Sequence, residues 1–596
     1  MLTLTAAALY HGPNLFSEDP VLVSRLSCAD GDWSRYEAAI VRLSEASSDW
    51  YQPQHGQGQS PDLTVGAILA DWSLQALTFV RGYLLAKGCA KETGNGNILV
   101  WIGWHDANIA HATLAAAVRL LEKGAEQDLS RPMVQKEVVQ IWRAIGDCHP
   151  DYQARIVMEA ARPRGIAYAP AWGMPRYWRF GEGARSRVLF ESSSTEDSLF
   201  GARIAASKSL SKSVLHQLGI PTPAFRLVQN EAEVPEAALE VGFPCVTKPV
   251  DCSGGKGVSA GLQTIEAAQI GFRAARGVST GPVLIETHLE GDDHRLMVVE
   301  GRLVAAIRRE PPTVIGDGRR TIRELVAAKN IGRDPRSLVR SGYFRPIRFD
   351  ASALLHLAGQ GLKPETVLPK AQTIRLRSNG NLSTGGTCVD VTPQVHPEIR
   401  SLLESLSQTL QIAMLGADYM TTDISRSPRD NKGGFVEINT CPGLDAMIAA
   451  GWPTEKAGDL ALSSDIGAIS KTLIIVPADR FERTLSAANG AHWPVGTGWA
   501  SREEAMVSGA ALHVPDGDGW PGMAMLLGHR AVTRAILFAS DVEILRLGMP
   551  VSKVDQMVLA AHPPSVWEQV LRSGSSIAET GVCIADPEGL IERLIA

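Results

Sequence analysis

Three oxygen-bearing side chains, Asp418, Glu437 and Asn439, combine residue type and spacing in a way that could do chemistry. Glu437 and Asn439 are two apart in the apolar run "GFVEIN", so in a strand both point to the same side. Asp418 stands in "ADYMTTDI", a second strand-like run, and is expected to start the neighbouring strand across the turn-rich "SRSPRDNKG". Two carboxylates and an amide on adjacent strands are the hard donors that Mg²⁺ takes, with phosphate oxygens and water completing its octahedron. Acids at strand edges are also common without any metal, so the triplet alone leaves both readings open. A second stretch adds to it. "TKPVDCSGGKGV" (247–258) carries Lys248 and then a loop containing Ser253, Gly254, Gly255 and Gly257. Such a loop either makes an ordinary surface turn or brings backbone N–H groups up to phosphates. It is not a Walker A loop, which needs a glycine, four residues and Gly-Lys-Ser/Thr, and no such run occurs in the chain.

The elements that must position these residues can be read from pattern. "SKSLSKSVLHQLG" (207–219) is a helix with Ser207 as N-cap, Gly219 at its end and Pro221 beyond, as helix stops require. It presents Lys208. "FPCVTKPV" and "PVLIETHLEG" are strands. Glu286 ends the second, where a backbone hinge could meet adenine, and Asp293 follows where it could accept from a ribose hydroxyl. "RLMVVEGRLVAAIRRE" is a hairpin turning at Glu300-Gly301, and "VHPEIRSLLESLSQTLQIAM" is a helix. A helix lysine, a strand lysine, a glycine loop, an acidic hinge and then Asp with Glu-x-Asn form an order far rarer than any one of its parts.

The segment from about 195 to 455 resembles the ATP-grasp domain of cyanophycin synthetases. The resemblance rests on "SKSLSKSVLHQLGIPTP", "FPCVTKPVDCSGGKGV", "HLEGDDHRLMVVEGRLVAAIRREPPTVIGDGRRTIREL", "NLSTGGTCVDVT" and "EINTCPGL". It implies ATP and Mg²⁺ as cofactors. Lys208 and Lys248 would contact phosphates, and Ser253, Gly254, Gly255 and Gly257 would close over them. Glu286 and Leu289 would hold adenine and Asp293 the ribose, while Asp418, Glu437 and Asn439 would carry the metal. Arg309 would stabilise charge on the transferred phosphoryl, with Arg295 and Arg308 as alternatives. The loop Ser383, Thr384, Gly385 and Gly386 would line the substrate pocket. Two departures stand out. Ser207 replaces the aspartate usual before the first lysine, and "LDAMIAAGWPTEKAG" replaces the family's run after Pro442-Gly443, so the family's substrate does not carry over.

Near the start, "ALYHGPNLF" resembles the opening of the family's N-terminal domain. Near the end, "HRAVTRAILFASDVEILRLGMPVSKVDQMVLA" resembles part of a Mur-ligase-like domain, with Phe538 where a catalytic glutamate would stand. An unrelated small α/β domain is the alternative. The expected architecture is α/β: a mixed N-terminal domain (1–190), an α+β ATP-grasp domain (191–465) and a small, inactive C-terminal α/β domain (466–596), with no second ATP site. "ANIAHATLAAAVRLLEKGAEQ" (107–127) should be a helix. "SSDWYQPQHGQGQSPD" and "ARPRGIAYAPAWGMPRYWRFGEG" read as loops.

Bulk composition is that of a globular protein, with 45% hydrophobic and 20% charged residues. A net charge of -6 gives no support to a nucleic-acid partner. No apolar run is long enough to span a bilayer, and the first residues lack the basic region of a secretory signal. The eight cysteines include no Cys-x-x-Cys pair, which fits a reducing cytoplasm. The resulting expectation is a cytoplasmic ATP-dependent carboxylate–amine ligase acting on amino acids or peptides, as a homo-oligomer. A non-catalytic ATP-binding subunit and a glutathione-synthetase-like ligase are the alternatives.

Overall fold

The computed structural model describes residues 1–53, 60–80, 85–92, 96–174, 176–252, 255–331, 333, 345–377, 379–559, 582–584 and 591. The chain divides into two compact units. One joins residues 1–188 to 464–596, and the other is the intervening stretch 189–463.

In the discontinuous unit, an antiparallel sheet runs in the order Leu2–Tyr10, Val21–Cys28, Ile98–Gly103, Lys87–Lys91. Helices Pro61–Val80, Ala107–Glu126 and Arg131–Cys148 bury Trp72, Leu114 and Val138 in a core with Leu26 and Val100 of that sheet. The expected helix at 107 is present, and Asp106 caps it by accepting from the Ile109 amide at 3.0 Å. The patch expected as a loop over 161–183 instead contains strands Tyr168–Pro170 and Tyr177–Phe180, which pair antiparallel. Its aromatics at alternate positions outweighed its Gly and Pro punctuation. Residues 54–59 of the other loop patch lie outside the described residues.

The C-terminal part of the same unit has a seven-stranded sheet. Thr497–Ala500, Arg534–Ser540, Ser470–Val476, Gln556–Leu559 and Val582–Ile584 run parallel, and two short strands add antiparallel at one edge. Phe538 is fully buried, edge-on to Trp499. The two parts are stitched together by buried Lys471 on Glu182, by Arg185 Nε donating to the Asp465 carbonyl at 3.1 Å, and by His11 N donating to Leu547 O at 2.9 Å.

The 189–463 unit holds two antiparallel sheets. The first has the order Ser259–Leu262, Cys245–Pro249, Val283–Thr287, Phe225–Val228. Helices Val234–Val241 and Ile265–Arg276 cover one face, burying Cys245, Phe272, Val283 and Ile285. Because side chains alternate along a strand, Val246, Lys248, Leu284 and Glu286 emerge on the other face.

The second sheet has the order Thr387–Asp390, Arg302–Glu310, Asp292–Val299, Met414–Thr421, Gly434–Asn439. Helix Pro397–Leu410 packs Ile399, Leu403 and Leu406 in a core with Leu296, Val298, Ala417 and Ile438. The same alternation sends Asp293, Arg295, Arg309, Asp418, Glu437 and Asn439 to the opposite face. The hairpin turns at Glu300-Gly301, whose φ angles are 48° and 75°, as a type I′ turn requires. A smaller element, inserted in sequence between Arg302–Glu310 and Thr387–Asp390, pairs Thr313–Ile315 with Thr373–Arg375 around Val314, Ile322, Leu325 and Ile374.

Candidate active site

Register assembles the charged face. Arg295 lies opposite Asp418, Asp293 opposite Arg309, Asp418 opposite Glu437, and Gly416 opposite Asn439. Asp418 therefore sits in the middle of its strand rather than at its start, flanked by a strand on each side. Arg295 Nε lies 3.0 Å from Asp418 Oδ1, and its Nη1 donates to Asn439 Oδ1 at 3.1 Å. Arg309 Nη2 is 2.7 Å from Asp293 Oδ1 and 3.0 Å from Asp418 Oδ2. Arg308 pairs with Glu310 at 2.9 Å and alternates away from this face, which removes it as an alternative to Arg309.

Burial raises the Asp418 pKa, but Arg295 and then Arg309 more than offset it, so the group stays below the ordinary carboxylate range. At Asp293 burial wins over Arg309, and the pKa is raised. Burial alone would lower the Arg309 pKa, yet Asp418 and Asp293 raise it further still.

Lys208 opens helix Lys208–Gln217, which Ser207 caps by accepting from the Leu210 amide at 3.4 Å. Its Nζ donates to Cys252 O at 2.9 Å and lies 3.5 Å from Glu437 Oε1. Ser253 and Gly254 lie outside the described residues. Gly255 and Gly257 take φ of +77° and +69°, and a Cβ on Gly257 would stand 2.5 Å from Val278 Cγ2, so only glycine suits that position.

Lys248 is buried, and its Nζ is 2.7 Å from Glu286 Oε1. Glu286 is the penultimate strand residue rather than the last, and its carboxylate turns inward. Thr287 N and His288 N donate to Ala224 O and Pro244 O at 3.0 and 2.9 Å. The Leu289 amide carries no hydrogen bond among the described residues, so of the two expected hinge residues it is the one with a backbone donor to offer.

The loop at Ser383–Gly386 reaches Arg309 through close backbone approach. A Cβ on Gly380 would lie 2.6 Å from the Arg309 carbonyl carbon, and one on Gly386 would lie 2.2 Å from Gly380 O. Thr384 Oγ1 donates to Asn379 Oδ1 at 3.1 Å, and Gly385 is left-handed at φ +95°. In the divergent run after Gly443, Trp452 Nε1 donates to Asp390 Oδ2 at 2.8 Å, and Lys456 Nζ stands 3.7 Å from the Trp452 ring centroid.

Lys212 was not among the sequence candidates. It is fully buried, with Nζ 2.6 Å from Glu286 Oε2. Its spacing of four from Lys208 was the available signal, since i and i+4 share a helix face.

Residues 206–309 match the family model described as phosphoribosylglycinamide synthetase, ATP-grasp (A) domain. The cyanophycin synthetase of Synechocystis sp. is 30% identical over 429 residues, covering 69% of this chain and 48% of that protein. That of Trichormus variabilis is 31% identical over 434 residues, covering 68% and 47%. The chain is an ATP-grasp protein of the cyanophycin synthetase family. This family member spans about half the length of the relatives it matches. A bifunctional glutathione biosynthesis protein from Mannheimia succiniciproducens is 30% identical over 261 residues, 42% of this chain and 33% of that one. The solved bifunctional glutathione synthetase from Pasteurella multocida aligns at 22% identity with a TM-score of 0.40, over 59% of this chain and 51% of that one. No described helix of this family member is long and apolar enough to cross a membrane.

The donor set fits Mg²⁺. Among the described residues no cluster of three His, Cys, Asp or Glu forms a metal site, and here two carboxylates and an amide oxygen share one sheet face, as a hard ion with phosphate ligands takes. Gly416 leaves the space: a Cβ there would lie 2.5 Å from Asn439 Oδ1 and 2.7 Å from Arg295 Nη1. Gly416→Ala is therefore expected to displace both side chains, costing about 1–3 kcal/mol of stability together with most of the activity. Thermal unfolding and turnover, measured side by side, check this, and a variant with native turnover would show that the cradle is not needed.

Proposed function

We propose that this protein is an ADP-forming carboxylate–amine ligase that joins an amino acid or dipeptide to a peptide or amino-acid carboxylate. The observation that carries the proposal is the position of Lys208, whose ammonium meets both the Cys252 carbonyl at the root of the glycine loop and the Glu437 carboxylate. One cation thus links the phosphate-binding and metal-binding halves of the face.

In the proposed reaction a substrate carboxylate attacks the γ-phosphorus of ATP. The bond from that phosphorus to the bridging oxygen breaks, and ADP leaves. An amine then attacks the acyl-phosphate carbon, loses a proton and expels phosphate, leaving an amide. Lys208, Lys248, and the loop with Ser253, Gly254, Gly255 and Gly257 hold the phosphates. Leu289, at the hinge after Glu286, holds adenine, and Asp293 the ribose. Asp418, Glu437 and Asn439 would hold Mg²⁺, which when bound neutralises charge on the transferred phosphoryl. Arg309, released from Asp418, and Arg295 stabilise the same charge, and the loop Ser383–Gly386 borders the acceptor. We further propose a homo-oligomer that binds one ATP per chain, with the 466–596 part taking none.

The test is phosphate release from ATP and Mg²⁺ with pooled amino acids and with Asp-, Arg- and Glu-containing peptides, including γ-glutamylcysteine with glycine. A product mass equal to the sum of one pair less water is expected. ATP binding without release in any pool would overturn the ligase reading in favour of a regulatory ATP-binding subunit.

A further inference from the structure

Buried charge around Glu286 points to a role for Lys212. Glu286 is 3% exposed and is shared by two buried ammonium groups, Lys212 on Oε2 at 2.6 Å and Lys248 on Oε1 at 2.7 Å. Beyond Glu286, the contacts of the Lys212 ammonium among the described residues are Thr222 Oγ1 at 3.4 Å and the Phe225 ring, with the centroid 5.9 Å away. A carboxylate matched one-to-one with Lys248 would cancel the charge of that lysine. With a second ammonium on its other oxygen, the trio keeps one net positive charge.

We propose that Lys212 is a positioning residue: it neutralises Glu286, so that the charge of Lys248 remains available to the nucleotide phosphates. This rests on the nucleotide reading of the site given above. The arrangement accounts for a buried lysine, and for a carboxylate paired to Lys248, where it would otherwise offset the charge that attracts a phosphate. Glu286 is held ionised for the same reason. Burial raises its pKa, but Lys248 and Lys212 together bring it below the ordinary value. Burial lowers the Lys212 pKa to about 8, against the pull of Glu286, while Lys248 adds to the fall and Glu437 opposes it.

The experiment is equilibrium binding of ATP to the full chain across a charge series. Lys212→Met removes one charge and leaves the trio neutral, and is expected to weaken ATP binding at least about tenfold, since a unit charge within roughly 8 Å of polyphosphate is worth that much even at high effective dielectric. Lys212→Met with Glu286→Gln restores the net charge of one and should recover most of the affinity, and Lys212→Arg should retain it. In the wild type, affinity should fall as pH rises through about 8, where Lys212 loses its proton. In the double variant that fall should be absent.

If Lys212→Met folds and binds ATP like the wild type, the proposal fails. If it misfolds, the double variant decides: tight binding supports the charge argument, and weak binding in a folded double variant overturns it. A wild type that binds no ATP would instead refute the nucleotide reading.

Discussion

Glu437→Gln is expected to lower turnover by about 10³-fold, roughly 4 kcal/mol in the barrier, while ATP binding falls far less. The carboxylate and the amide have the same shape, so the strand Gly434–Asn439 and its pairing with Met414–Thr421 should persist. What changes is charge. Glu437 is the most solvent-accessible of the two acidic donors, with its side chain 35% exposed against 19% for Asp418, and Asp418 is already matched by two guanidinium groups. Glu437 faces one ammonium, Lys208 at 3.5 Å, and therefore supplies more of the negative charge available to a divalent ion than Asp418 does. Nucleotide affinity should survive because Lys208 and Lys248 remain. Single-turnover ADP formation and calorimetric ATP binding check the two halves of the claim. Turnover within threefold of wild type would remove Glu437 from the metal set.

Arg309→Met should be the most damaging single change, because it strikes fold and chemistry together. Its guanidinium separates Asp293 from Asp418 at 2.7 and 3.0 Å. Removing one partner from a buried ionic network costs about 3–5 kcal/mol, or roughly 6–15 °C of melting temperature in a unit of this size. Mg²⁺ should raise the melting temperature of the variant more than that of the wild type, since a divalent cation can replace the lost charge at Asp418. Turnover should not return, because a cation at Asp418 does not reproduce a guanidinium aimed at the transferred group. Paired thermal unfolding with and without Mg²⁺, alongside turnover, tests both parts. Equal Mg²⁺ responses in the two proteins would show that Arg309 and the metal do not share Asp418.

The contrast between Arg308 and Arg309 shows what local pattern could and could not deliver. Two-residue alternation makes the choice between them binary, but only the register Asp293–Arg309 says which is inward. The strands, the hairpin turn and the cap at Ser207 were legible because each depends on near neighbours. The pairing of Glu286 was not legible because its partners, Lys212 and Lys248, come from a helix and a second strand. Lys212 was passed over because four-residue spacing on a lysine-bearing helix ordinarily signals a solvated face. The strands at 168–180 were hidden by Gly and Pro, and the union of 1–188 with 464–596 depends on contacts such as Glu182–Lys471 that no window of sequence contains.

That union constrains the order of events during synthesis. Residues 1–188 leave the ribosome long before Lys471, Leu547 or Met549 exist, so His11, Pro13 and Glu182 wait for partners that arrive last. An unstructured stretch between 188 and 464 would charge the closing step the entropy of a long loop. Once the 189–463 stretch has folded into its own compact unit, its two ends are already fixed, and Arg187 needs only a short search to meet Asp465. The intervening unit thus acts as a clasp for the chain around it, and a substitution that slows its folding delays completion of a unit to which it contributes no residue.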